Sequence, residues 1–425
     1  GIAFLKFDRH IPTLYGATLL GSGAGALAVI ALLYLWQPAS AVRAISIVSL
    51  TAPILAATNF RRAKLVAAIL LSVLAGIGVA LFPLKLSITQ YKSLSMIRGS
   101  VDTKILRTEW SPLSRIDVVD SPAIKFDPAP GLSFAFQGEI PPVRGIVLDA
   151  DSVTVMTDFG DTIENARYLD HSSLALPYHL IEHPKVAILG AGGGSSVLLA
   201  LLHDAKSIAA VELDPKIIHL VREKYKEFCG GIYSLPQVKP IAADGRGFME
   251  SRRGRDRFDI IEIALIGSFG SSAAGVHALA ENYLYTVDAF EVYLQRLSPR
   301  GILSVTHWIQ FPPRDNIKTF AMAVEALERI GIANAETHLV FIRSWKTGTI
   351  IVCKSPFTED EIGTAREFCG KRNFDLAYAP GLSRDETNRF SILSDPQRPD
   401  APSPLYYDAC TSLLSGDRRR LCRDY

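Results

Sequence analysis

No Cys-x-x-Cys pair occurs in the 425 residues, and the five cysteines (Cys229, Cys353, Cys369, Cys410, Cys422) are odd in number and scattered. That usage excludes a zinc ribbon and a disulfide framework, and it suits reduced thiols facing a cytosol. A dominant sign of charge is missing too: 45 Lys and Arg against 43 Asp and Glu leave +2. Without a basic stripe interleaved with aromatics, no nucleic acid partner is expected. No internal repeat is present. Charge is scarcest in the first 85 residues, which account for much of a mean hydropathy of +0.20, high for a soluble enzyme.

Three long apolar runs fill that region, at about 11–36, 39–60 and 63–83. Each reaches the roughly 20 residues needed to cross a bilayer. Three runs, the first of them too long for the purpose, exclude a signal peptide. Gly16, Gly21 and Gly25, with Ala24 and Ala28, give the first run a small-residue surface suited to close helix packing. Arg61, Arg62 and Lys64 place the second loop inside, and Lys85, Lys92, Arg98 and Lys104 place the segment after the third run inside as well. One span cannot begin and end on the same side. The chain begins with Gly1 rather than Met, so further upstream spans are expected, and it ends in mid-pattern at Leu421-Cys422-Arg423-Asp424-Tyr425, as a fragment is expected to do. A multi-pass membrane protein, with everything after Lys85 on the cytoplasmic side, is the expectation.

The stretch from Val186 to Asp214 organises the rest. Val186 to Leu189 reads as a short buried strand, followed at once by Gly190, Gly192, Gly193 and Gly194. A turn from a parallel strand into a helix needs backbone without side-chain bulk where a ligand approaches. Ser195 to His203 then reads as a helix and Ile208 to Val211 as the next strand. Glu212, 22 positions after Gly190, stands where a nucleotide-binding βαβ unit places an acid on ribose hydroxyls. The competing view is a tight turn beside an ordinary surface acid, and it would have to produce strand, glycines, helix, strand and acid in register by chance.

Around this unit the pattern is coarse but legible. Between 91 and 157 short alternating runs (Arg115 to Val119, Gly145 to Leu148) and the turn Asp127 to Gly131 indicate a small β-rich lobe. Tyr168 to His183 reads as an amphipathic helix, and Pro215 to Glu227 as another. Val238 to Ala242 and Phe258 to Ala264 are strands and Val287 to Leu297 a helix, followed by a turn at Pro299-Arg300-Gly301. Ile302 to Thr306 is a strand, Asn316 to Ile330 a helix, and Leu339 to Ile342 and Thr349 to Cys353 are strands. This is an α/β fold with an open, mostly parallel sheet and helices on both faces. The expected domains are 1–85 (membrane helices), 86–165 (linker and β lobe), 166–380 (nucleotide-binding domain) and a Pro/Asp/Arg-rich tail, 381–425.

Four motifs then occur in order: Ala187-Ile188-Leu189-Gly190-Ala191-Gly192-Gly193-Gly194, Val211-Glu212-Leu213-Asp214, Ala243-Asp244-Gly245-Arg246-Gly247-Phe248 and Phe258-Asp259-Ile260-Ile261. Together they resemble spermidine synthase, the polyamine aminopropyltransferase branch of the class I methyltransferase (Rossmann-type) fold. With Leu14-Tyr15-Gly16-Ala17-Thr18-Leu19-Leu20-Gly21 the chain resembles the multi-pass bacterial inner-membrane proteins that carry such a domain. The resemblance implies an S-adenosyl donor, S-adenosylmethionine or its decarboxylated form, and no metal. It implies that Gly190, Gly192, Gly193, Gly194, Glu212, Asp214, Asp244, Gly245 and Ala264 surround that donor, with Glu212 on the ribose and Asp244 on the adenine amino group. Asp244 has a structural alternative as a helix N-cap.

The sequence departs from the family in the amine pocket. Gly193 stands where spermidine synthases carry Asp, and Ala264-Leu265-Ile266-Gly267-Ser268 stands where they carry Asp-Ser-Ser/Thr-Asp-Pro. A diamine arrives as ammonium and needs negative charge to hold it and a base for the attacking nitrogen. Substitutes to consider are Glu262, Asp170, His171 and Tyr283, then Tyr285, His307 and Trp308, each of which has an ordinary structural reading. Ser268 to Ser272 reads as a loop over the pocket mouth, and Glu325 and Glu328 as a solvated face. Three function classes follow: a membrane-anchored transferase (aminopropyl, or methyl as runner-up), a non-catalytic adenosyl-ligand sensor, and a transporter with a regulatory domain. The partners are a small-molecule donor, an acceptor the sequence does not name, and the lipid bilayer; a homo-oligomer is left open.

Overall fold

The computed structural model describes residues 10–58, 62–81, 87–251, 257–266, 283–310, 314–387, 394–395, 398–402 and 405–415. The chain divides into two compact units, residues 1–90 with 108–116, and residues 91–107 with 117–425.

In the first unit helices run over Ile11–Leu35, Pro38–Ser49, Thr51–Ala57 and Arg62–Leu81. Three stretches (Ile11–Leu35, Pro38–Leu55, Arg62–Leu81) are long and apolar enough to cross a membrane. The second is interrupted at Leu50, whose own backbone stays helical (φ −67°, ψ −12°). Large apolar side chains such as Leu20 (78% exposed) and Leu27 (72%) have no protein covering them among the described residues. A Cβ built at Gly16, Gly21 or Gly25 meets nothing within 4 Å, so the small-residue surface also lies open.

The strands begin with β1 (Lys104–Trp110), β2 (Arg115–Asp120), β3 (Val143–Leu148) and β4 (Ser152–Thr157), a four-stranded sheet in that order. Eight strands follow: β5 (Lys185–Leu189), β6 (Ser207–Glu212), β7 (Val238–Ala242), β8 (Phe258–Ala264), β9 (Leu297–Trp308), β10 (Leu339–Arg343), β11 (Thr347–Cys353) and β12 (Asp375–Tyr378). Their spatial order is β12-β10-β11-β9-β8-β5-β6-β7. The five strands β5 to β9 pair in parallel, and β11, β10 and β12 extend the sheet antiparallel. This is a mostly parallel, Rossmann-type sheet. The order turns back between β5 and β8, and a doubly wound sheet opens its ligand crevice at such a switch, beyond the strand C-termini. Strands β5, β8, β10 and β11 are almost wholly buried, which explains their continuous apolar runs.

Three local expectations are corrected. Tyr168 to His183 is not one helix: 3-10 segments at Ile163–His171 and Ser173–Ala175 precede a short helix at Leu176–Leu180. Ser172 is extended (φ −106°, ψ 159°), and its hydroxyl bonds back to Leu169 O, which stops propagation. The helix from Pro215 ends as α-helix at His219 and continues as a single wider turn, Leu220–Lys224. Pro299-Arg300-Gly301 does not separate helix from strand; it lies inside β9. There Phe258 opposes Leu297 while Ile260 opposes Ile302, so the turn residues are absorbed as a bulge. The tail carries structure after residue 380, including the helix Leu405–Leu414, whose Tyr406, Ala409, Cys410 and Leu413 join the main core.

Distant segments are tied by charged clamps. Arg343 of β10 pairs with Asp375 of β12, both 3% exposed, and the guanidinium also lies 5.4 Å from the Tyr406 ring. Removing one partner from such a pair leaves the other charge buried. Asp375→Ala is therefore expected to lower the unfolding free energy of the second unit by about 3–5 kcal/mol, checked by urea denaturation followed by intrinsic fluorescence.

Candidate functional site

The backbone shapes the site before any side chain does. At the end of β5 the Gly190 and Ala191 amides both donate to Val211 O on β6, at 2.8 and 2.9 Å, folding the loop over the sheet edge. Gly192 N then donates to Glu212 Oε2 (2.9 Å), and Asp214 N donates to Oε1 (3.0 Å). Both carboxylate oxygens are thus oriented by main-chain donors and keep further acceptor capacity. Glu212 is 8% exposed, and burial raises its pKa while the amides of Asp214, Gly192 and Leu213 pull it back. The loop is held from outside by Thr154 of β4, whose hydroxyl accepts from Gly193 N (2.9 Å), and by Tyr233, whose hydroxyl donates to Gly192 O (2.8 Å). Neither Thr154 nor Tyr233 was identifiable from the sequence: one lies 39 residues before the loop, the other 41 after its partner.

Gly193 shows why the loop has no side chain there. A Cβ on it would stand 2.1 Å from Val155 O, in direct collision with β4. Gly194, with φ +101°, occupies the left-handed region and starts the helix Ser195–Leu202.

A cavity of about 300 Å³ opens beside this loop. Of the sequence candidates, Gly190, Gly192, Glu212, Asp244, Gly245 and Ala264 line it. Gly193 and Gly194 back the loop without lining the cavity. Asp214 instead caps the helix Pro215–His219, its Oδ1 accepting from Lys216 N at 3.0 Å. Asp244 does both: Oδ1 accepts from Gly247 N (2.7 Å), while the residue also borders the cavity. The floor and walls are apolar, formed by Leu189, Val153, Leu174, Ala264, Leu265, Ile266 and Leu284. Among the described lining residues none is basic, and the acids are Asp127, Glu212 and Asp244.

The candidate substitutes stand elsewhere. Glu262 is 1% exposed in β8 and accepts from the Tyr178 hydroxyl at 2.7 Å. Burial pushes its carboxyl up to about 7, against the opposing effect of the Ser196 and Tyr178 hydroxyls. Asp170 is not among the cavity-lining residues; its Oδ1 lies 2.6 Å from His179 Nε2 and 2.9 Å from His203 Nε2, and its Oδ2 pairs with Arg372. Burial opposes ionisation there, but the two histidines and the Arg372 charge outweigh it and hold the carboxyl well below its usual range. Ligand atoms of Asp170, His179 and His203 lie within 4.8 Å of one another. Arg372 already serves that carboxylate as its cation, so the group works as a clamp joining four segments. His171 rests on Phe136, ring centroids 5.1 Å apart, and burial lowers its pKa, with Arg372 adding to the effect. Tyr283 is 62% exposed and lies off the cavity wall. His307 bonds Thr319 (2.9 Å), packs on Tyr285 and is pushed down to about 4 by burial. Trp308 lies under Lys346, 5.1 Å from its ring. Glu325 pairs with Arg329 on the helix Asp315–Arg329. The loop from Ser268 to Ser272 lies outside the described residues.

Residues 168–355 match the family model of the spermine/spermidine synthase domain. That part of the chain is spermidine synthase-like. Among curated relatives, a polyamine aminopropyltransferase of Korarchaeum cryptofilum is 31% identical over 142 residues, 33% of this chain and 40% of that protein. Polyamine aminopropyltransferase 2 of Pseudomonas aeruginosa is 26% identical over 176 residues, 41% and 48% of the two chains. The chain spans about half the length of the curated relatives it matches. A solved spermidine synthase from Thermotoga maritima aligns with a TM-score of 0.41 at 19% identity, covering 67% of this chain and 87% of that one. In this spermidine synthase-like domain the matched span takes in the glycine loop, Glu212, Asp244 and Ala264. It excludes β4 and the segment before β3, which supply the other side of the cavity.

Gly193→Ala is expected to cost about 1–3 kcal/mol through the collision with Val155. Gly363→Ala, at an exposed position of the helix Glu359–Arg372 where a Cβ meets nothing, should instead gain about 0.5–1 kcal/mol. Thermal unfolding of the two variants reads the contrast. Glu262 makes a second expectation, because its folded carboxyl keeps the proton to about pH 7 while the unfolded one loses it near 4.5. Stability from this group is therefore full at low pH and lost as pH rises from about 4.5 to about 7. Glu262→Gln should flatten that slope by on the order of 3 kcal/mol, seen in denaturation midpoints at pH 5 and pH 7.5.

Proposed function

We propose that the spermidine synthase-like domain binds an S-adenosyl sulfonium donor in the cavity beside Glu212 and transfers its aminopropyl group to an acceptor. The observation that carries this reading is the Glu212 carboxylate. Main-chain amides orient it from below, and it stands at the C-terminal end of β6, bordering the cavity. A carboxylate so placed accepts two vicinal ribose hydroxyls, and Asp244 across the cavity, with one oxygen still free of its cap, accepts from the adenine amino group. The glycine loop supplies close backbone approach.

The lining also speaks for the decarboxylated donor. Decarboxylated S-adenosylmethionine brings a sulfonium and an ammonium, both cations, to described walls that hold acids and no base. S-adenosylmethionine would add a carboxylate with no basic side chain to receive it, at a desolvation cost. In the reaction a neutral acceptor amine nitrogen, its proton already lost to solvent, attacks the carbon next to sulfur and takes over the positive charge as an ammonium. The C–N bond forms as the C–S bond breaks, and the electron pair goes to sulfur, leaving neutral 5′-methylthioadenosine. The protein's part is to align the two partners and exclude water. Methyl transfer to an apolar acceptor is the second reading, favoured by Ala264, Leu265 and Ile266, which make this end of the wall apolar.

We read the three apolar helices as membrane spans, with the domain on the cytoplasmic side, where a soluble donor is available. Glu212→Ala should weaken binding of decarboxylated S-adenosylmethionine by about 10- to 100-fold, the worth of hydrogen bonds to a charged group. Calorimetry with the detergent-solubilised chain measures this, and unchanged affinity would remove the site assignment. Mass spectrometry separates the two chemistries: 5′-methylthioadenosine as product supports aminopropyl transfer, and S-adenosylhomocysteine supports methyl transfer.

A further inference from the structure

We propose that Asp127, on the long connection between β2 and β3, is the anionic group that receives an ammonium of the acceptor. This rests on the donor reading above and deepens it. Asp127 borders the same cavity as Glu212 and Asp244. Those two acids belong to the nucleoside end, whereas Asp127 comes from a segment outside the span matched to the spermine/spermidine synthase domain. Where the end of β8 offers only Ala264, and where Gly193 has no room for any side chain, the acid comes from the β2–β3 connection, which lines the same cavity.

Its place is built by the tertiary structure. The segment after Asp127 is pinned at successive residues onto the main sheet and its helices. Pro130 O accepts from the Thr347 hydroxyl, Leu132 O from Trp345 Nε1, and Ser133 N donates to His171 O. The Ser133 hydroxyl donates to Arg372 O. Gly131, at φ +75°, has Ser344 Oγ 2.1 Å from where a Cβ would be, so the chain lies flat on the β10–β11 turn. On the other side of Asp127, its own amide donates to Ile124 O. The carboxylate itself accepts no hydrogen bond among the described residues, a costly state for a half-buried charge. Burial accordingly pushes it up to about 6, with Lys346 pulling the other way. An incoming ammonium would relieve that cost, and one placed here would share the cavity with the donor.

The test is calorimetric titration of 1,4-diaminobutane into the full chain in detergent, saturated with 5′-methylthioadenosine. The expected result is diamine binding that falls at least 30-fold in Asp127→Asn and is partly recovered in Asp127→Glu, with methylthioadenosine affinity unchanged within about twofold in both. Diamine affinity unchanged in the Asn variant overturns the assignment. So does absence of diamine binding by wild-type protein that has taken up methylthioadenosine, an outcome that leaves the donor reading standing. A parallel loss of methylthioadenosine affinity in Asp127→Asn also overturns it, because the residue would then be supporting the donor site. If wild-type protein takes up no methylthioadenosine, the donor reading falls. The same titration without nucleoside then decides on Asp127 alone, loss in the Asn variant supporting it and equal affinity overturning it.

Discussion

The contact between the glycine loop and Glu212 is the constraint from which the site follows. A parallel strand that ends over a cavity leaves amides pointing at nothing, and buried amides must be paired. Here the loop turns back far enough for Gly190 and Ala191 to reach Val211 O, and for Gly192 to reach the carboxylate one residue further on. The acid therefore has two tasks: it closes the loop, and it presents lone pairs to whatever lies beside it. Its burial is tolerable because three amides share the charge.

The same economy of space explains the loop's composition. Strand β4 lies directly against the loop, with Val155 O where a Gly193 side chain would begin and the Thr154 hydroxyl on the Gly193 amide. A carboxylate could not be held on the loop at that position without moving β4. The small β lobe thus forms part of the cavity wall, and the connection between β2 and β3 adds Asp127 to the two acids, Glu212 and Asp244, that stand at strand ends.

Burial sets the roles of the remaining ionisable groups. Asp170 has its charge fixed by two histidines and an arginine and is spent on joining the helix Glu359–Arg372 to the segments before β5 and after the helix Ser195–Leu202. Glu262 sits in the middle of the sheet with Tyr178 and favours the protonated form. Both carry acids of the right chemistry for an amine pocket, yet neither borders the cavity. A titratable side chain near a strand end is a poor guide to function until its direction is known.

Local signals in the sequence were enough for the sheet and for the side of the cavity lined by Gly190, Glu212 and Asp244. Val238–Ala242 and Phe258–Ala264 occur as strands with the boundaries read from their apolar runs, and Gly190, Glu212 and Asp244 lie within one short βαβ unit and the strand after it. Their relation depends on backbone geometry that residue type encodes directly. Tyr168 to His183 misled because helical periodicity cannot show that Ser172 will bond backward and stay extended. Pro299-Arg300-Gly301 misled because only pairing with β8 makes a bulge of a turn. Thr154, Tyr233 and Asp127 could not be assigned from the sequence at all. Each reaches the site from a segment distant in the chain, and what brings it there is packing and hydrogen bonding between elements, which no local pattern contains.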